Sequence, residues 1–208
     1  MEQGTAARQP SWDEVNTTVN SQSAAIYDGT DSLYTLNSQS WWELASTTDS
    51  AAIGAVAFRD TTGGNQRIFA TRNYTAGGFF LTMRTNSAPT AHAYDSTPSG
   101  LVSPGPATQS TATMYILALV YIGDTTTDSV QYWSSGSGGT AGTGGRGAIE
   151  QGGVKYFIMG GATELAGELL GGIAEGVYHK GTVSAGNDAD MVTYFDDRYG
   201  TSLPGWSQ

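Results

Sequence analysis

Two apolar runs, Ala51–Phe58 and Met114–Ile122, limit what this chain can fold into more than any other feature. Neither alternates cleanly between apolar and polar residues, so neither can lie with one face in water. The longer, at nine residues, is also too short to span a bilayer. Both read as central strands of a sheet covered on each side.

Around them lie shorter β-branched and aromatic runs, predicting strands at Ala24–Tyr27, Leu33–Leu36, Gln66–Thr71, Phe79–Arg84, Ala91–Tyr94, Ser129–Trp133, Tyr156–Met159 and Ile173–Tyr178. Clusters of Gly, Asn, Asp or Pro separate them, and Asp28-Gly29 is a turn signal in which Gly supplies positive φ. With only 13% charged residues, this spacing describes an all-β sandwich or barrel. Two segments read as loops. Ser96–Thr113 contains Pro98, Pro104 and Pro106, which delete ladder donors, and Ser134–Gly153 is rich in glycine. The glycine-rich segment reads as a hairpin tip, since it lacks the residue order of a phosphate-binding loop. One helix is predicted at Ala185–Tyr199. Ser184 is its expected cap, Met191, Tyr194, Phe195 and Tyr199 form an apolar stripe, and Gly200 ends it.

At 208 residues the chain is long enough for one domain with a sizeable core, and it has no cysteine to staple it. Its net charge of −10 repels phosphate backbones and anionic membrane surfaces, so neither nucleic acid nor a membrane is an expected partner. The N-terminal residues contain no apolar run, so no secretory leader is expected there.

The closing stretch Gly171-Gly172-Ile173-Ala174-Glu175-Gly176-Val177-Tyr178, followed by a helix ending Arg198-Tyr199-Gly200, resembles the last segment of laminin-G-like domains. The opening Thr5-Ala6-Ala7-Arg8-Gln9-Pro10 and Ala25-Ile26-Tyr27-Asp28-Gly29-Thr30-Asp31-Ser32-Leu33 is similar to that family's first strands. Arg67-Ile68-Phe69-Ala70-Thr71-Arg72 and Gly77-Gly78-Phe79-Phe80-Leu81 resemble its middle ones. The likeness runs in order along nearly the whole chain. It implies an all-β, two-sheet antiparallel jelly-roll sandwich of the concanavalin A-like kind, with one short C-terminal helix, in a single domain over residues 1–208.

Glycosidases on this fold set carboxylates in an E-x-D-x-E pattern along one strand, and no such run is present. Glu164 and Glu168 lie in a Gly-Ala-Leu loop, and Asp196-Asp197 close the helix. His92 and His179 are isolated, with no nucleophile elbow and no zinc-ligand spacing. Catalysis is therefore not expected. Calcium is the metal to consider, because laminin-G-like domains sometimes hold it and Asp28 and Asp31 share one loop mouth. The same two residues can instead hold a tight turn through side-chain-to-backbone bonds. Glu175 is expected to pair with Arg198 or to cap backbone donors. For ligand contact, Trp42, Tyr94 and Trp133 are the candidates, with Trp12 and Tyr132 near predicted loops or strand ends. Exposed aromatics beside amides or carboxylates can stack on a sugar ring or anchor a protein interface.

These features point to a non-catalytic binding or structural module. The leading expectation is a phage virion accessory protein, a capsid decoration or an appendage that contacts virion subunits, binds cell-surface glycans and is compatible with a homo-oligomer at the virion surface. The alternative is a carbohydrate-binding module of a secreted bacterial protein. A glycoside hydrolase is the remote one.

Overall fold

A computed structural model describes residues 9–34, 48–61, 64–72, 78–84, 90–94, 101–104, 110–123, 128–134, 137–138, 142–144, 156–161, 168–183 and 185–200. Among these residues fourteen strands, numbered in chain order, form two sheets in which every pairing is antiparallel. The larger sheet runs β1 (Ser11–Asn16), β2 (Gln22–Asp28), β14 (Leu170–Lys180), β4 (Ala51–Arg59), β9 (Tyr115–Ile122), β10 (Asp128–Ser134) and β11 (Ser137–Gly138), with β12 (Gly142–Gly144) also on β10. The smaller runs β3 (Leu33–Tyr34), β13 (Tyr156–Met159), β5 (Asn65–Arg72), β6 (Gly78–Arg84), β7 (Thr90–Tyr94) and β8 (Leu101–Pro104). One α-helix among them, α1 (Ala185–Tyr199), follows β14, and a 3-10 turn at Thr17–Val19 joins β1 to β2. This is the jelly-roll sandwich with a closing helix that the sequence implied.

Strand β4 explains why its sequence does not alternate. Every one of its residues is buried. Ala51, Ile53, Ala55 and Ala57 face the smaller sheet and join Ile68, Phe69, Leu81, Met83 and Phe157 in the main core. Val56 and Phe58 face the other way and pack with Val19, Ile116, Phe195 and Tyr199 in a second core beneath α1. Each large apolar side chain so buried contributes about 1.5–3 kcal/mol. Gly54 makes room for the helix, since a Cβ there would lie 2.7 Å from the Phe195 ring and 2.8 Å from the Met191 sulfur.

Three departures from the sequence reading have physical causes. Strand β1 was not expected, because Asp13 and Glu14 break any apolar alternation. It forms at the sheet edge, where polar residues are tolerated. The proline-rich segment contains β8, with Pro104 opposite Thr90 on an edge strand where a missing donor costs no ladder bond. The glycine-rich segment contributes β11 and β12, short pairings to β10 alone. Leu36 and Ser184 lie outside the described residues. No helix among the described residues is long and apolar enough to cross a membrane.

Candidate functional site

The turn after β2 brings Asp28 and Asp31 together, as their spacing suggested. Gly29, at φ +88°, supplies the left-handed residue that the turn requires. The Asp28 carboxylate Oδ1 accepts from the Thr30 backbone N–H at 2.8 Å and from the Thr30 hydroxyl at 2.7 Å. Asp31 Oδ2 accepts from the Asp28 backbone N–H at 3.1 Å. The two carboxyl groups also lie close enough to share a hydrogen bond. Thr30 donors hold Asp28 below the ordinary carboxylate range, while burial pushes Asp31 above it. Asp31 thus keeps a proton to higher pH than an ordinary carboxyl does.

The donor set can be tested for calcium. Calcium takes six to eight oxygens. Among the described residues no group of three or more His, Cys, Asp or Glu side chains could hold a metal. The pair alone supplies part of a coordination shell, and much of its hydrogen-bonding capacity already serves the turn. Behind the turn, the Tyr27 ring is buried against Gly160, and its hydroxyl is buried with no hydrogen-bond partner.

Two of the aromatic candidates fall on described strands, one in each sheet. Position 94 pairs with Gly78 on β6, in the row alternation that carries Phe80 on the outer face of the smaller sheet. Position 133 pairs with Ala118, itself opposite Gly54, on the face of the larger sheet that α1 covers. The two positions lie in different sheets. At the centre of the smaller sheet's outer face, Phe80 and Arg67 are each only 9% exposed and Thr82 only 3%, with the Arg67 guanidinium 5.0 Å from the Phe80 ring centre. Trp42 lies outside the described residues.

Among the described residues two large aromatics are exposed, Tyr194, whose hydroxyl donates to Glu175, and Trp12. Trp12 pairs with Ala25 on β2, and Ala25 continues through Ile173 and Ala57 as a row of the main core. The row therefore faces the smaller sheet, yet at the edge strand Trp12 stands 63% exposed, beyond the cover that buries its neighbours. Val15 is equally exposed. In a regular strand, positions 12 and 15 would fall on opposite faces. A bulge between Asp13 and Asn16 inserts one residue and returns Val15 to the side of Trp12. On the other side, Asn16 Nδ2 donates to Asp13 Oδ2 at 3.0 Å, and Asp13 Oδ1 accepts the Val15 N–H at 3.2 Å. The bulge thus builds an apolar shelf with its edge donor already satisfied. Trp12 lies about 10 Å along the strand from the Asp28 turn, three residues at about 3.4 Å each.

A second polar cluster is structural. A bulge in β14 between Ile173 and Glu175 turns Glu175 toward α1. There it accepts from the hydroxyls of Tyr194 and Tyr199, the latter at 3.0 Å, and pairs with Arg198 Nε at 3.0 Å. The expected Glu175–Arg198 contact is present, and it fastens the helix. Burial pushes Tyr199 up to about 12, so its hydroxyl stays a donor.

The sequence matches no protein-family model and no curated protein. Solved structures share the fold. Domain 4 of AbnA, a GH43 extracellular arabinanase from Geobacillus stearothermophilus, in complex with arabinotriose, superposes with a TM-score of 0.56 at 14% identity, over 78% of this chain and 73% of that one. Domains LG4-5 of the mouse laminin alpha1 chain give 0.55 at 12% identity, over 73% of this chain and 40% of the laminin chain. The enzymatically active domain of tailspike protein 2 from bacteriophage CBA120 gives 0.53 at 14%, over 90% of this chain and 29% of the tailspike chain. The fold is the laminin-G-like, concanavalin-like jelly roll.

Proposed function

We propose that this chain is a non-catalytic carbohydrate-binding module working at an outer surface, with Trp12 as the platform on which a sugar ring stacks. The observation that carries the reading is the joint exposure of Trp12 and Val15 on the core-facing side of an edge strand. A large aromatic left in water on a row built for burial is the informative kind of exposure. Beside it stands Ser23, and about 10 Å along the strand Asp28 and Thr30, as hydrogen-bonding groups for sugar hydroxyls. The fold supports the reading, since domain 4 of the arabinanase holds arabinotriose on the same architecture. Calcium at Asp28 and Asp31 is an auxiliary part of the proposal, as a ligand that steadies the turn beside the shelf.

The test is a glycan array followed by calorimetry, run with calcium and with a chelator, on the wild-type chain and Trp12→Ala. The expected result is wild-type binding to at least one oligosaccharide, weakened about tenfold or more in the variant, with thermal stability preserved. Absence of binding under both conditions, or equal binding by the variant, would overturn the proposal. Cleavage of a polysaccharide by the wild-type chain, lost on replacing one glutamate, would contradict its non-catalytic part.

A setting on a virus particle is the second reading, supported by likeness to a phage tailspike domain over 90% of this chain. Its test is whether the chain co-purifies with particles through density-gradient sedimentation at a fixed copy number.

A further inference from the structure

From Gln9 to Phe58 the sequence contains six acidic residues and not one Lys, Arg or His. Four of the six, Asp13, Glu14, Asp28 and Asp31, lie on β1 and on the turn after β2, the two strands that form the shelf. Glu14 is exposed on the same strand as Trp12, and Asp28 lies fully at the surface. The two strands that carry the shelf thus bring acids, and no cation of their own, to a ligand stacked on Trp12.

We infer that the shelf selects neutral glycans and rejects sialylated or uronic ones. This rests on the carbohydrate-binding reading of Trp12 and adds the ligand's charge class to it. The size of the effect follows from Coulomb's law. One negative charge at about 10 Å in water from each of the two exposed carboxylates, Glu14 and Asp28, is disfavoured by about fourfold in affinity before screening. Salt shortens the reach of that field to about 3 Å at 1 M, so the discrimination fades as salt rises.

The experiment is an array of matched pairs, each a neutral oligosaccharide and the same one bearing a sialic or uronic acid, probed with the whole chain at about 0.01 M and 1 M salt. The expected result is a preference for the neutral member of about fourfold at low salt, shrinking toward parity at high salt. Glu14→Gln should narrow the low-salt preference while leaving affinity for the neutral member unchanged, because Glu14 lends only charge. Trp12-dependent binding of both members equally at low salt, or tighter binding of the acidic one, would overturn the inference and leave the carbohydrate reading standing. Binding of neither member of any pair would sink the reading itself.

Discussion

Trp12 and Gly160 mark the two extremes of what one position does in this molecule. Trp12 is largely in water, so Trp12→Ala should shift folding stability by no more than about 0.5 kcal/mol, whatever it does to ligand. Gly160 sits at φ +79°, and a Cβ there would come within 2.1 Å of the buried Tyr27 ring. Gly160→Ala combines overpacking with a left-handed backbone, and should cost about 2–4 kcal/mol in urea unfolding. Asp31 behaves differently again. Its folded carboxyl titrates above its ordinary value, so ionising it opposes folding, and the penalty grows as pH rises through that folded value. Asp31→Asn should therefore raise the melting temperature at pH 7 and lose that advantage near pH 3, where the wild-type group is protonated in both states. Asp28 has the opposite sign. Its carboxylate favours folding above the ordinary range, and that contribution fades as the solution is acidified.

At the scale of elements, α1 was legible to the residue because its signals agree with one another. An apolar stripe, acidic residues in its first turns and Gly200 past its end all describe the same helix. What fastens it was harder to read. Gly54 clears space under Phe195, and the β14 bulge turns Glu175 toward two tyrosines and an arginine. A bulge is set by register between strands distant in sequence, which no local pattern encodes. Phe195→Ala should cost about 3–5 kcal/mol by emptying the second core. Glu175→Gln should leave the sheets intact while accelerating hydrogen exchange in α1, since it removes the anion that Arg198 pairs with. Strand β1 escaped sequence reading for a related reason. Its exposed, charged residues mimic a loop, and only pairing with β2 makes it a strand.

Across the whole molecule, the architecture could be read from the chain because a sandwich needs two covered strands at its centre, and β4 and β9 announce themselves as such. The site could not be read the same way. Aromatic residues at strand ends look alike in sequence, and whether one is buried depends on where the smaller sheet stops above the larger. Positions 94 and 133 lie on different sheets, while Trp12 stands exposed on the edge strand β1. Recognition at that edge, near a turn whose charged residues are both acidic, is the central claim. It is tested most directly by following the five tryptophan indole N–H resonances during titration with a neutral oligosaccharide chosen from the array, with the Trp12 signal assigned by its loss in Trp12→Phe. The account predicts a saturable shift of the Trp12 resonance, with Trp133 unmoved. A saturating ligand that shifts other indoles and leaves Trp12 in place would contradict it.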